Sequence, residues 1–238
     1  MTHLTTCVDA ESVATRAAAE IARYLEAVRT ERGVVHLALS GGTTPKRTFE
    51  RLAAEQVQWE AVEVWFADER CVAPEDAESN YRLARETLIE PAGLPPERVH
   101  RMEGELGPEE GARNYAQALG KHVATRDRGL PVLDLVVLGI GPDGHVASLF
   151  PGAATLEAGE EELCLGVRDS PKPPPERITL TLGVLRVAAR CLLLATGASK
   201  AHAVSAMLAD PSNHVPASLL RRERLTVIAD DAAAPTPI

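Results

Sequence analysis

The chain has 238 residues, of which 45% are hydrophobic and 25% charged, and its formal net charge at pH 7 is −9. These proportions are ordinary for a globular protein, and a chain of this length can bury a sizeable core, so we expect one domain over residues 1–238. The acidic balance argues against a nucleic-acid or membrane-surface partner, because both require a basic face; any anionic ligand must therefore meet a local basic site.

The N-terminal segment and the cysteines indicate a cytoplasmic protein. The first 21 residues lack the basic start and continuous apolar core of a signal peptide, and no apolar run approaches the ~18 residues of a membrane helix. The four cysteines are far apart and form no C-x-x-C pair. Neither a zinc knuckle nor a disulfide framework is therefore indicated.

Helical and strand patterns alternate from the start of the chain. Apolar residues recur every three or four positions from Asp9 until Gly33, which predicts an amphipathic helix. A short apolar strand follows at residues 34–40, and the break GGTTP then starts a second helix with Pro45 near its first turn.

The same alternation continues to the end of the chain. The next predicted elements are a strand at 62–68, a helix beginning near Ser79, a helix from about Pro108 to Thr125 and a strand at 133–141. RITLT, CLLLATG and RLTVIAD are three further candidate strands, with the helix SKAHAVSAMLAD between the last two. Apolar strands separated by helices predict an α/β fold whose largely parallel sheet is covered by helices on both faces.

In such sheets ligands bind beyond the carboxyl ends of the strands, so the residues that follow each apolar run are the informative ones. Four polar or glycine-rich clusters occupy these positions: residues 40–44, 68–70, 141–145 and 197–200.

The third cluster belongs to the segment LGIGPDGHVASLFPG, which contains the spacing G-x-G-x-x-G of a dinucleotide-binding turn. The segment is a poor match to that turn. Pro142 removes a backbone donor, Pro151 and Gly152 cut short any following helix, and no second strand ending in an acidic residue follows at the expected distance. We therefore expect no nicotinamide cofactor.

The same spacing instead predicts that His145 stands at a strand-to-helix turn, near helix N–H groups that disfavour the protonated imidazole. A neutral histidine is a usable base near pH 7. Asp143 either orients that imidazole or is the base itself. In the alternative interpretation Asp143 only caps the short helix and His145 is structural. Because no second His or Cys stands at ligand spacing from His145, no metal is expected.

The remaining clusters fit an anionic ligand. SGGTTP combines small residues, free backbone donors, two hydroxyls and a helix start, as a phosphate-binding turn requires. A Gly-Gly turn in which Thr44 is a plain N-cap would have the same sequence pattern. Lys200 is either the matching cation or a solvated surface lysine. In DER, Arg70 can hold an oxyanion and Asp68 can orient water or a sugar hydroxyl, but surface loops often carry such tripeptides.

Six segments, in this order and over nearly the whole chain, resemble the 6-phosphogluconolactonase family: SGGTTP, WFADERCVAPEDAESNYRLA, LVVLGIGPDGHVASLFPG, SPKPPPERITLTLGVLRVAAR, TGASKA and VPASLL. That family hydrolyses 6-phospho-D-glucono-1,5-lactone, the second step of the oxidative pentose phosphate pathway, without a metal or other cofactor. The resemblance implies a Rossmann-like fold of the NagB and ribose-phosphate-isomerase type, and a sugar phosphate lactone as the small-molecule partner of a monomer or small homo-oligomer.

The resemblance also implies roles for individual residues. The phosphate would be held by Gly41, Gly42, Thr43 and Lys200, with Ser40 and Arg177 as further substrate-binding residues. In catalysis, His145 would activate water and Arg70 would steady the lactone end of the substrate. The further catalytic residues would be Asp68 and Asp143. Where the family usually has a proline and an asparagine, this chain has Gly183 and Arg186. This departure leaves a sugar contact from that element in question.

Two other functions are compatible with parts of the pattern. An aminosugar-6-phosphate deaminase or isomerase would use the same phosphate-binding turn and the same Asp-Gly-His. Its motif, however, continues to a glutamate five residues after the histidine, and it usually has the tripeptide DEY where this chain has DER. Phe150 occupies the glutamate position. A non-catalytic sugar-phosphate sensor would normally carry a DNA-binding helix pair, and no basic segment of that kind precedes residue 34.

Overall fold

A computed structural model describes residues 2–124, 126–159 and 161–235. The strands are β1 His3–Cys7, β2 Val35–Leu39, β3 Val62–Phe66, β4 Asp68–Arg70, β5 Arg126–Asp127, β6 Leu130–Pro131, β7 Leu135–Gly139, β8 Cys164–Val167, β9 Arg177–Leu180, β10 Arg190–Ala195 and β11 Leu225–Asp230. The α-helices are α1 Ala10–Arg32, α2 Thr43–Leu52, α3 Asn80–Ala84, α4 Pro108–His122, α5 Leu182–Val187 and α6 Ala201–Leu208.

Six strands form the central sheet in the order β1-β11-β10-β7-β2-β3, and every neighbouring pair is parallel. The chain leaves β2 for β3 on one side, whereas from β7 it reaches β10 and then β11 on the other. The boundary between β2 and β7 is therefore the point at which the strand order reverses. In open parallel sheets a crevice for ligands opens beyond the carboxyl ends of the strands at this point.

Both faces of the central sheet are covered. Every residue of β11, and every residue of β10 after Arg190, is buried. Because successive side chains of a strand point to opposite faces, an unbroken buried run requires packing on both. One hydrophobic cluster extends from Val13 in α1 to Ala233 after β11. The predicted α/β fold with a largely parallel sheet is confirmed.

The first helix has the predicted ends. The side chain of Asp9 accepts a hydrogen bond from the backbone N–H of Ser12 at 2.7 Å, as an N-cap does, and Gly33 ends the helix at a φ of 82°. The helix predicted from Pro108 ends at His122. Its predicted last residue, Thr125, lies outside the described residues.

The structure differs from the sequence expectations at several places in the sheets. The strands β1, β5, β6 and β8 were not predicted. RITLT forms β9 as predicted, but β9 pairs antiparallel with β4 and β8 in a separate three-stranded sheet rather than joining the parallel one. DER is itself the strand β4, in which Arg70 lies opposite Arg177. This pairing brings two cations to one edge.

None of the described helices is both long enough and apolar enough to cross a membrane. All four cysteines are free thiols.

Three histidines surround Trp65 near the amino-terminal part of the sheet. Trp65 Nε1–H donates to His36 Nδ1 at 3.2 Å, and the Trp65 ring stacks on His100 with the ring centroids 4.0 Å apart. His122 lies on the outer side of His100, with its centroid 5.0 Å away. Burial lowers the pKa of His36, while the charges of Asp134 and Glu63 act weakly in the opposite direction.

This burial predicts a pH dependence of stability. Because the pKa of His36 is lower in the folded than in the unfolded chain, the unfolded chain binds more protons as the pH falls below about 6.5. The free energy of unfolding should therefore decrease from about pH 7.5 to about pH 5, and the decrease should be smaller in His36→Gln. Urea unfolding at both pH values measures this. His202→Gln, at an exposed histidine, is the control; an equal decrease in all three proteins would contradict the prediction.

Candidate active site

A cleft of about 260 Å³ opens at the reversal point between β2 and β7. Nine of the ten predicted site residues line it: Ser40, Gly41, Gly42, Thr43, Asp68, Arg70, His145, Arg177 and Lys200. The tenth, Asp143, is hydrogen-bonded to His145. The segments that follow β2, β3, β7 and β10 thus meet at one edge of the sheet, as predicted.

The turn after β2 leaves its backbone donors open toward the cleft. The N–H groups of Gly41 and Gly42 donate to no acceptor in the described part of the chain, and neither does the Thr43 hydroxyl. Helix α2 follows directly, with Gly42 as its N-cap and no capping side chain. Thr44 is therefore not a plain N-cap; its Oγ1 lies 2.7 Å from Thr196 Oγ1. Open N–H groups at a helix start are a suitable site for an anion.

Gly41 is required by the way a neighbouring loop packs. A Cβ at this position would lie 1.9 Å from Asn80 Oδ1, a distance that no real contact permits. Asn80 is held there because its Nδ2 donates to the backbone carbonyl of Asp68 at 2.9 Å. A side chain at residue 41 would therefore displace the loop that carries Asn80.

Asp68 joins three segments of the cleft. Its Oδ1 accepts from Ser40 Oγ at 2.9 Å and from Asn80 Nδ2 at 3.3 Å, and its Oδ2 accepts from Ser148 Oγ at 2.8 Å. The side chain is only 3% exposed. With both carboxylate oxygens occupied, Asp68 positions Ser40 and Asn80 rather than offering a free base.

Arg70 presents an unsatisfied donor at the cleft. Its Nη1 donates to the carbonyl of Glu78 at 2.5 Å, and its backbone N–H donates to Glu69 Oε1 at 2.8 Å. Its Nε is buried and has no partner among the described residues. A buried N–H without an acceptor is costly, so this contact of Arg70 is a local strain in the wall of the cleft.

The predicted helix at His145 does not form. Residues 142–150 make turns, with Gly144 at a φ of 82° and Ala147 at 49°, and Val146 bridges back to Leu149. Pro142 and these left-handed positions prevent regular helical hydrogen bonding. Helix N–H groups therefore do not act on the imidazole, and Asp143 is not a helix cap.

Asp143 acts on the imidazole instead. Its Oδ1 lies 2.6 Å from His145 Nδ1, which makes Nδ1–H the donor and leaves Nε2 as the acceptor of the neutral ring. Gly141 permits this contact, because a Cβ there would lie 1.9 Å from His145 Nδ1. Burial raises the pKa of Asp143, but the hydrogen bond and charge of His145, with the charge of Lys172, bring this pKa well below its usual range.

Lys172 is a cleft residue that the sequence analysis missed. Its Nζ lies 3.4 Å from Asp143 Oδ1 and 3.3 Å from His145 Nδ1. The available signal was a lysine in the segment that leads to Arg177, a proposed site residue at the start of β9. Asn80 and Ser148, the other missed residues, act through contacts distant in sequence that no local pattern encodes.

Arg177 fixes the segment that carries Lys172. It is 4% exposed, and its Nε and Nη2 donate to the carbonyls of Pro174, Lys172 and Pro173 at 3.0–3.1 Å. The guanidinium also lies over the Phe150 ring, 5.6 Å from its centroid. Arg177 therefore holds one wall of the cleft as well as lining it.

The cleft is a basic site on an acidic protein. Arg70, Lys172, Arg177 and Lys200 line it, against the single carboxylate of Asp68 among its described lining residues. The backbone N–H of Lys200 donates to the carbonyl of Gly197 at 3.0 Å, whereas its ammonium has no hydrogen bond or ion pair with a described residue. Burial lowers the pKa of Lys200, and the charge of Lys172 lowers it further. An anionic ligand would relieve this repulsion. Gly183 and Arg186 do not line the cleft.

Comparison with known proteins agrees with this geometry. The sequence profile of the glucosamine-6-phosphate isomerase/6-phosphogluconolactonase family matches residues 8–229. The chain belongs to this family. It is 36% identical to the 6-phosphogluconolactonase of Streptomyces coelicolor over 238 residues, which cover 95% of this chain and 91% of that protein.

Solved structures of this family have the same fold. The 6-phosphogluconolactonase of Thermotoga maritima superposes with a TM-score of 0.85 at 28% identity, over 97% of this chain and 99% of that one. A monomeric glucosamine-6-phosphate deaminase superposes with a TM-score of 0.78 at 22% identity, over 98% of each chain, and this likeness concerns the fold alone. Phe150, five residues after His145, packs against the imidazole with the ring centroids 4.7 Å apart.

Proposed function

We propose that this protein is a 6-phosphogluconolactonase, which hydrolyses 6-phospho-D-glucono-1,5-lactone to 6-phosphogluconate in the second step of the oxidative pentose phosphate pathway. The observation that carries the proposal is the oriented Asp143–His145 pair facing a cleft that also holds an unpaired lysine and an open anion-binding turn. Relatives that are named 6-phosphogluconolactonase and match most of this chain support the same activity.

Substrate binding rests on the phosphate. The open N–H groups of Gly41 and Gly42, the hydroxyl of Thr43 and the ammonium of Lys200 receive the phosphate oxygens. Because these groups come from β2, α2 and the segment after β10, they fix the sugar at one end of the cleft. The lactone carbonyl is thereby oriented toward the opposite wall.

His145 is the base in this proposal and Asp143 its positioning partner. The Asp143 carboxylate receives Nδ1–H, so that Nε2 can accept a proton from the water that attacks the C1 carbonyl. Asp143 is the weaker base, because its pKa lies well below its usual range. As the C1–O bond to the ring oxygen breaks, the imidazolium returns the proton to that oxygen and the open acid leaves.

Negative charge develops on the carbonyl oxygen during the attack. The guanidinium of Arg70, which lines the cleft, is the donor to this charge, and Lys172 adds a positive charge beside the reacting centre. Asp68, in this proposal, acts through Ser40 and Asn80, because its own oxygens are already hydrogen-bonded.

A paired assay tests the proposal. The protein is offered 6-phosphogluconolactone and glucosamine 6-phosphate side by side, and release of acid and of ammonia is recorded after correction for spontaneous lactone opening. Acid release from the lactone alone is expected. Ammonia release would instead establish a deaminase, and turnover of neither substrate would favour a non-catalytic sensor.

The activity should persist after exhaustive treatment with EDTA. Among the described residues no group of three or more His, Cys, Asp or Glu side chains could hold a metal ion, and the proposed base is an imidazole. The measurement is the lactonase rate before and after chelation and dialysis. Loss of activity that is restored by added zinc or magnesium would contradict this prediction.

The shared core from Val13 to Ala233 supports our proposal that the chain is one domain. The free thiols support a cytoplasmic location, because a reducing compartment maintains cysteines in this form.

A further inference from the structure

A second cavity, of about 590 Å³, shares no described lining residue with the active-site cleft. Its walls come from α5, from the hairpin of β5 and β6, and from residues 156–159 and 211–223. The volume lies within the range of about 300–1,000 Å³ that is typical of small-molecule sites. Both positions at which the sequence departs from the family pattern, Gly183 and Arg186, line this cavity.

The floor of the cavity is apolar. Five hydrophobic side chains contribute to it, and none is more than 9% exposed: Leu130, Leu182, Val187, Leu219 and Leu220. Gly183 keeps the floor open, because a Cβ there would already lie 3.2 Å from Leu130 Cδ1. A longer side chain at residue 183 would press into this space.

The rim carries four arginines, and among the described residues only Arg221 has a counterion. Arg221 pairs with Glu223 at 2.8 Å, and Arg222 donates to the carbonyl of Ala209. Arg186 donates through Nε to the carbonyl of Leu219 at 2.7 Å, but its two terminal nitrogens have no partner in the described chain. Arg128 makes no hydrogen bond or ion pair with any described residue.

Arg128 and Arg186 line the same cavity. Burial lowers the pKa of Arg186, and the charge of Arg128 lowers it further. Glu223, the one carboxylate among the described lining residues, is paired with Arg221, so the charges of Arg128 and Arg186 are not balanced at this cavity. A bound anion would balance them, because guanidinium groups bind carboxylate and phosphate through paired hydrogen bonds.

We infer that this cavity binds a small organic anion, in which an apolar or aromatic body lies on the leucine-rich floor and a terminal carboxylate or phosphate contacts Arg128 and Arg186. The polar sugar phosphate of the active site does not have this character. The inference is independent of the proposed function, because none of these residues belongs to the catalytic cleft.

The probe for this site is 8-anilinonaphthalene-1-sulfonate, an aromatic sulfonate that fluoresces when bound to an apolar surface. We expect saturable binding to the intact protein, weakened about tenfold by Arg128→Gln and by Arg186→Gln. Arg23→Gln, at an exposed arginine of α1, is the matched control and should bind as the parent protein does. Because Arg128 is exposed and its side chain makes no hydrogen bond or ion pair with the described residues, its replacement does not endanger folding.

Competition identifies the anionic group. Phenyl phosphate and octanoate test an organic phosphate and a carboxylate, and displacement of the dye by either supports the inference. Inorganic phosphate, which lacks the apolar body, should not displace it. The inference fails if neither organic anion competes, if inorganic phosphate competes equally well, if 6-phosphogluconate displaces the dye from the protein, or if Arg128→Gln binds the dye unchanged.

Discussion

Replacing His145 by asparagine is expected to lower kcat by about 10²–10⁴-fold, the usual contribution of general acid–base catalysis. The asparagine amide can still donate to Asp143, so the loop should keep its conformation, but asparagine has no group basic enough to take a proton from water. KM should change little, because the phosphate contacts of Lys200 and the glycine turn remain. Initial rates of acid release, corrected for spontaneous lactone opening, measure both constants.

Asp143→Asn is the companion variant. An asparagine at this position still accepts Nδ1–H but no longer stabilises the imidazolium, so its kcat should fall less than that of His145→Asn. If instead kcat fell less than about threefold in folded His145→Asn and was abolished in Asp143→Asn, the base would be Asp143.

Replacing Lys200 by glutamine is expected to lower kcat/KM for the phosphorylated lactone by roughly 10- to 100-fold, the effect of losing a charge-assisted contact. Unphosphorylated gluconolactone should lose little, because it has no group for Lys200 to bind. The ratio of kcat/KM for the two lactones is therefore the measurement. Lys121→Gln, at an exposed lysine of α4 outside the cleft, is the matched control.

Lys172→Gln should give the opposite pattern. Lys172 contacts Asp143 and His145, so its loss should lower kcat for both lactones by similar factors.

Equal losses on both substrates in Lys200→Gln would show that Lys200 is structural and that the phosphate is held elsewhere.

The sequence predicted the fold where the relevant signals are local. Asp9 and Gly33 mark the ends of α1 through their own backbone chemistry, and the apolar runs of the central strands need no partner to be recognised. The antiparallel sheet of β4, β8 and β9 depends on which strands meet, and the pairing of Arg70 with Arg177 joins residues more than a hundred positions apart. Local periodicity carries no information of that kind.

The candidate site was predicted in composition but not in its internal contacts. The strand-end rule placed Ser40, Asp68 and His145 in one cleft, because parallel strands end at the same edge. The environment of His145 was predicted wrongly, because Gly144 and Ala147 adopt left-handed backbone conformations where a helix was expected. Lys172 was missed because its position depends on the buried guanidinium of Arg177.

The contacts of Asp68 affect how the cleft responds to a ligand. One carboxylate joins the end of β2, the loop of Asn80 and the turn of Ser148, so these segments are already ordered when the cleft is empty. The conformational entropy that they lose is lost once, during folding, and is not lost again at each binding event. Substrate should therefore associate with a preformed receptor, and the heat-capacity change of binding should reflect the surface buried between ligand and cleft, with no contribution from folding of these segments.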